Sequence, residues 1–313
     1  MSRIDAIYPA DRITLREVGL RDGLQIARSH PATEAKLNWL EREAAAGVRH
    51  FEIGSFLPAG RFPQFADVGA MIEGAERHDL HSAALTLNER GAEAAFATAI
   101  REMVCVVSAT EEHSEANMRR SRGDAVDLVR QIAARRDAEA PGKIVNAGIA
   151  MAFGCSLAGD VAHDEVLRLA DACLEAGADI VGLADTVGYA GPKAVGELCA
   201  RMSGVCAGRP FIIHLHDTRG MGVANAAAAL DNGARVIDAS LGGLGGCPFA
   251  PGATGNVVFE DIVYLAETMG FATGIDLDTL KTARRIAEEA MPDDDFHGAL
   301  HRAGPPQNAR WRA

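Results

Sequence analysis

Short strand-like apolar runs recur along the chain, each followed by an Ala-rich stretch with the spacing of an amphipathic helix. The first run, Ile13–Val18, precedes a helical stretch over Thr33–Ala46. Further runs lie at Arg49–Ile53, Ser82–Leu87, Met103–Val107, Ile144–Met151, Asp179–Leu183, Phe211–Leu215 and Arg235–Ala239. Strands alternating with helices predict a parallel sheet, and eight units in this length predict a (β/α)8 TIM barrel, an α/β fold. The segments from Ala46, Ala176 and Asn232 share a plan in which a helix ends on Gly47, Gly177 or Gly233 and a strand begins at once. A doubly wound open sheet fits less well, because no G-x-G-x-x-G follows the first run.

After the eighth run comes a Gly-rich loop, Gly242–Gly255, then a helix from about Val257 to Met269 and another over Leu277–Ala290. The tail from Pro292 is rich in Asp, Pro and Gly, so it is expected to be loosely ordered. No linker interrupts the pattern. The expected organisation is one catalytic domain over residues 1–313, with the barrel at about 12–270 and a C-terminal helical extension and tail at 271–313.

Charge and cysteine usage limit the partners. The net charge is -12 without any Lys/Arg run, which argues against nucleic acid or an anionic membrane. A small anionic substrate stays open, since a local Arg overrides the global balance. The start, Met1–Asp5, lacks an apolar signal region, and no apolar run approaches a membrane span. The six cysteines show no C-x-x-C pair. Together these features predict a soluble cytoplasmic protein with free thiols.

Chemistry-bearing residues gather late in the strands or just after them, where a barrel places its active site. His214 and His216 share one face of a strand end and make half of a metal site. Arg21 and Asp22 leave the first strand in a Gly-flanked turn, either as an ion-paired loop or as cavity residues. Glu52, Asp185 and Asp238 are carboxylates that need a partner or a task; Asp185-Thr186 also reads as a helix cap. Six glycines in the fifteen residues Gly242–Asn256 form a loop able to close over a ligand. Cys247 sits in it and Asn256 ends it.

The set Glu17–Gln25, Ser55–Phe56, His214–Thr218 and Gly245–Asn256 resembles the 3-hydroxy-3-methylglutaryl-CoA lyase family of metal-dependent TIM-barrel enzymes. The likeness runs from about Ile13 to Met269, and the Cys loop is its most discriminating part. It implies a divalent-metal-dependent carbon–carbon lyase that converts 3-hydroxy-3-methylglutaryl-CoA, or a close 3-hydroxyacyl-CoA, to acetyl-CoA and acetoacetate or the corresponding keto acid. The implied metal ligands are Asp22, His214, His216 and Asn256, for Mg²⁺ or alternatively Mn²⁺ or another divalent cation. Arg21 is implied to stabilise the enolate oxygen, Cys247 to protonate the departing carbanion equivalent, and His214 or Asp22 to act as base. Gln25, Glu52, Asp185, Arg219 and Glu260 match positions that line or brace the site. A CoA thioester is implied as substrate rather than resident cofactor, and a homodimer as the assembly.

Three departures from the family pattern stand out; Arg28 and Arg219 bear on the acyl group more than on the reaction type, and Leu20 on turn stiffness alone. Leu20 stands where the family often has Pro, Arg28 where Lys is common, and Arg219 where Tyr is common. The alternative is a Claisen-condensing acyltransferase of the isopropylmalate or citramalate synthase type. Those enzymes commonly carry Glu where this chain has Leu24, and Asn-Asp where it has Asp217-Thr218.

Overall fold

A computed structural model of the protein describes residues 3–246 and 255–307. Eight strands, β1 (Thr14–Glu17), β2 (His50–Ser55), β3 (His81–Leu85), β4 (Glu102–Ser108), β5 (Ile144–Ala150), β6 (Ile180–Asp185), β7 (Ile212–Leu215) and β8 (Val236–Ala239), pair in sequence order as a closed barrel. All neighbours are parallel, and β8 closes onto β1 with Arg16 opposite Asp238. The (β/α)8 barrel expected from the alternation is therefore present.

The helices are α1 (Thr33–Ala45), α2 (Val68–Arg77), α3 (Glu89–Phe96), α4 (Glu111–Met118), α5 (Arg122–Glu139), α6 (His163–Glu175), α7 (Pro192–Val205), α8 (Gly222–Asp231), α9 (Phe259–Thr268), α10 (Leu277–Ala290) and α11 (Ala299–Ala303). The main core lies between barrel and helices. In α1, Trp39, Leu40 and Ala44 are buried on the same side, against outward-facing strand residues such as Phe51 and Ile53. The three segments of the internal repeat share one backbone device: Gly47, Gly177 and Gly233 all have φ near +100°. In that region an L side chain is strained, and the carbonyls left at the helix end are closed before the next strand.

The barrel interior is layered. Its floor is apolar, built from Ile144, Ile180, Ile212 and Val236 and covered from below by Ile4 and Tyr8 of the N-terminal segment. Above that floor the interior turns polar. Arg16 bonds Glu102 at 2.8 Å, and Glu102 also accepts from Tyr8 (2.7 Å), His81 (2.8 Å) and Asn146 (2.7 Å). A buried charge is costly unless it is paired and hydrogen-bonded, and here each oxygen of Glu102 has two donors.

The tail corrects the sequence expectation. Residues Asp293–Leu300 pack on the barrel instead of trailing free. Asp294 accepts the N–H groups of Arg28 and Ser29, each at 2.8 Å, and His297 N–H donates to Gly242 O at 2.6 Å. Phe296 fills the space in front of Gly242, where a Cβ would lie 2.4 Å from its ring. Asp-, Pro- and Gly-rich composition predicted loose order; the Asp294 side chain instead serves as a clasp for two loop N–H groups that have no strand partner.

Candidate active site

At the end of β1 the chain winds into a single π turn, Gly19–Gly23. The carbonyl of Val18 receives the N–H groups of Arg21, Asp22 and Gly23 at 3.1, 2.7 and 3.2 Å. This compression lets two adjacent residues, which would diverge on a strand, both face the barrel mouth. Arg21 Nη1 lies 2.6 Å from Asp22 Oδ1 and 2.9 Å from Gln25 Oε1, and Nη2 lies 2.7 Å from Glu52 Oε2. Burial raises the Glu52 carboxyl above its ordinary value, with Arg21 pulling it back.

From β7 the two imidazoles approach the same point. His214 Nε2 and His216 Nε2 are 3.1 Å apart, and they lie 3.9 and 3.6 Å from Asp22 Oδ2. Asn256 arrives because residues 255–258 run between the ends of β7 and β8. Asp217 N–H bonds Gly255 O, Val257 N–H bonds Leu215 O, and Ser240 N–H bonds Val257 O. Asn256 Nδ2 donates to Asp22 Oδ2 at 2.8 Å and to Leu244 O at 2.9 Å. The approach requires Gly245, since a Cβ there would lie 2.5 Å from Asn256 Nδ2 at a φ of +115°.

These residues fit a divalent cation. Asp22, His214 and His216 each offer a ligand atom, all within 4.8 Å of one another. Asn256 Oδ1 is buried without a partner, because both donor bonds of that amide are made by its nitrogen. Two arginines, the buried Arg16 and the half-buried Arg21, face four carboxylates, Asp22, Glu52, Glu102 and Asp238. With neutral imidazoles the formal deficit is two positive charges, and mixed oxygen and imidazole donors suit Mg²⁺, Mn²⁺ and related cations. Asp22 is held well below the usual carboxylate range: burial opposes this, but Arg21, the bond from His216 and the two imidazoles prevail. His214 is raised, since its bond to Asp238 and the nearby carboxylates outweigh its burial.

The remaining expected residues surround this cluster in different ways. Asp185, at the end of β6, accepts Tyr189 N–H (2.8 Å) and Ala190 N–H (3.1 Å), so it fixes the following loop. Glu260 accepts from Gly242 N–H and pairs with Arg284 at 2.9 Å; it braces the loop after β8 from behind. Arg219 is an exposed rim residue, stacked on Tyr189 and donating to the carbonyls of Val187 and Gly188. Cys247 lies outside the described residues. On the far wall, Val106, Gly148, Ala150 and Ala184 are half-buried while their alternating neighbours are buried, as expected where inward positions line an open mouth. Arg16 and Glu102 were missed from the sequence, although a charge inside an apolar run was the available signal. Asp238 had been noticed without a partner.

A closed β/α barrel whose strand ends bring together an Asp and two His able to hold a divalent cation defines a class of barrel enzyme. The chain belongs to the HMGL-like family, whose model matches residues 12–286. It is 36% identical over 285 residues to hydroxymethylglutaryl-CoA lyase of Bacillus subtilis, covering 91% of this chain and 94% of that one. It is 38% identical over 288 residues to (R)-citramalyl-CoA lyase of Chloroflexus aurantiacus, covering 87% and 89%. Among solved structures it resembles an HMG-CoA lyase from Acinetobacter baumannii in complex with coenzyme A and 3-methylmalate, with a TM-score of 0.88 and 33% identity over 96% of this chain and 98% of that one.

Proposed function

We propose that this protein is a Mg²⁺-dependent carbon–carbon lyase that cleaves 3-hydroxy-3-methylglutaryl-CoA, or a close 3-hydroxyacyl-CoA, to acetyl-CoA and the matching keto acid. The observation that carries the reading is the convergence of Asp22, His214, His216 and Asn256 beside Arg21. Those four residues would hold the cation through Asp22 Oδ2, the two Nε2 atoms and Asn256 Oδ1. When bound, the cation supplies Lewis-acid charge that lowers the cost of ionising a 3-hydroxyl.

The chain's own groups carry the proton and charge movements. Of the two candidate bases, His214 and Asp22, the hydroxyl proton goes to Asp22, because His214 has Nε2 turned to the cation site and Nδ1 bonded to Asp238. As the C3–O bond becomes a carbonyl, the C2–C3 bond breaks and its electron pair passes to C2, giving the enolate of acetyl-CoA. Arg21, fixed by Glu52 and Gln25, places its guanidinium where the enolate oxygen develops charge. Cys247 then delivers a proton to C2. Its place in the Gly-rich loop supports a thiol brought to the substrate on closure.

A citramalyl thioester is the competing substrate, favoured by the relative from Chloroflexus aurantiacus and by Arg219, a cation at the rim where a carboxylate on C3 could reach. The deciding experiment offers both thioesters to the purified protein with Mg²⁺ and follows acetoacetate and pyruvate separately. Acetoacetate release that falls at least about 100-fold in Cys247→Ala and Asp22→Ala supports the first reading. Pyruvate release with the same losses supports the second. Release of neither product overturns both acyl assignments.

A further inference from the structure

The strand register sets three inward residues in a row across the closing seam of the barrel. Arg16 of β1 stands opposite Asp238 of β8, and Asp238 stands opposite His214 of β7. Their side chains connect in that order. Asp238 Oδ2 lies 3.2 Å from His214 Nδ1, and Asp238 Oδ1 lies 3.0 Å from Arg16 Nε in an ion pair. Arg16 cannot swing away, because its other end is tied to Glu102 at 2.8 Å and Glu102 is itself held by Tyr8, His81 and Asn146. Arg16 and Asp238 are buried, and His214 is half-buried at the mouth.

We propose that Asp238, clamped by Arg16, is the positioning residue that fixes His214 as its Nδ1–H tautomer and so leaves Nε2 free to ligate. The inference rests on the metal site assigned above and goes beyond it by naming what prepares one ligand before metal arrives. An ionised carboxylate only accepts, so the imidazole proton must sit on Nδ1 and the lone pair on Nε2, which faces His216 and Asp22. Orienting partners of this kind commonly govern metal affinity. His216 lacks one: its Nδ1 is buried without a hydrogen-bond partner among the described residues. The two ligands are therefore prepared unequally, and His214 is the one set in advance.

The Arg16 contact makes the idea sharply testable through Asp238→Asn. The Arg16 Nε–H, though not aligned for a hydrogen bond, is a fixed cationic donor 3.0 Å away, so it repels an NH₂ and favours an asparagine whose oxygen faces Arg16 and whose NH₂ faces His214. That NH₂ donates to Nδ1, forces the Nε2–H tautomer and masks the ligating lone pair. Replacing Arg16 by Met in the same protein removes the constraint, lets the amide flip and returns an acceptor to His214. A merely structural role predicts the opposite, since the second substitution removes a further buried contact.

The experiment is a Mn²⁺ titration of the purified full-length protein, followed by the loss of the free-ion electron paramagnetic resonance signal. Wild type is compared with Asp22→Asn, Asp238→Asn and Arg16→Met/Asp238→Asn. The expected results are loss of binding in Asp22→Asn, binding weakened about 10- to 100-fold in Asp238→Asn, and tighter binding in the double variant than in Asp238→Asn. Wild-type affinity in Asp238→Asn, or no recovery in the double variant, overturns the proposal while leaving the metal site standing. Wild-type affinity in Asp22→Asn, or no Mn²⁺ binding by wild type, overturns the metal site and the proposal with it. Nitrogen-15 spectra of histidine-labelled, metal-free wild type give a check that needs no folded Asp238 variant, with His214→Gln used only to assign the resonances. An Nδ1–H tautomer at His214 is expected, and an Nε2–H tautomer overturns the proposal.

Discussion

Arg21 and Glu52 are joined at the barrel mouth by a 2.7 Å ion pair, one from the π turn after β1 and the other from the neighbouring strand β2. The same guanidinium holds Asp22 and Gln25 through its other nitrogen, so its plane is fixed before substrate arrives. A lysine would keep the charge and lose the fork. Arg21→Lys is expected to lower kcat about 10²- to 10³-fold, with a smaller change in KM and with Mn²⁺ still bound. Steady-state kinetics beside a Mn²⁺ titration check this. A change in KM alone would assign Arg21 to ground-state binding instead.

Metal removal separates the cluster's two roles. Chelation is expected to abolish turnover and added Mg²⁺ to restore it. Because the cation binds the folded chain, saturation near 100 times its Kd contributes about 2.7 kcal/mol of stability and raises Tm by several degrees. Asp22→Asn removes the carboxylate charge that both imidazoles face, so its Tm should not respond to Mg²⁺. Differential scanning fluorimetry with and without Mg²⁺ reads the outcome.

The barrel was legible in the sequence because its signals are local: short apolar runs, amphipathic stretches, and the glycines that end helices at Gly47, Gly177 and Gly233. The His214 and His216 pair was legible for the same reason, since alternation along one strand puts both on one face. The row from Arg16 through Asp238 to His214 was not, because its members meet only through strand register and closure of β8 onto β1. Glu260 matched a site position, yet its carboxylate is spent on Gly242 N–H and Arg284, contacts set by how α9 and α10 pack. The tail was misjudged because polar composition says nothing about a carboxylate finding unpaired loop N–H groups.

Gly148 leaves space on the inner wall of the mouth. A Cβ built there meets nothing closer than the carbonyl of Cys105 at 3.7 Å. Valine also suits a strand better than glycine, so Gly148→Val should fold with an unchanged or higher Tm. Its two methyl groups project toward the space that Val106, Ala150 and Ala184 surround, and they should raise KM about tenfold or more for the bulkier of two acyl thioesters. Equal kinetic constants for the variant and wild type would place the acyl group elsewhere.

Behind the catalytic turn, Glu17 and Glu43 form a buried acidic pair. Glu17 Oε1 accepts Gly19 N–H at 2.6 Å and Leu241 N–H at 3.1 Å, while Glu17 Oε2 and both Glu43 oxygens are buried without an aligned partner. Burial pushes the Glu17 carboxyl up to about 8, and burial with the neighbouring Glu17 charge raises Glu43 as well. The folded chain therefore keeps a proton that the unfolded chain has released anywhere between the ordinary glutamate value and about 8. The stabilising contribution is complete below the unfolded value and is lost as pH rises through that window. Glu17→Gln imitates the protonated form: its oxygen still accepts both N–H groups, and its NH₂ faces Glu43. The difference in Tm between Glu17→Gln and wild type should thus grow in the variant's favour from about pH 5 to about pH 8. Parallel melting curves across that range would expose the account as wrong, and the pair as ionised in the fold, if the two traces kept a constant separation.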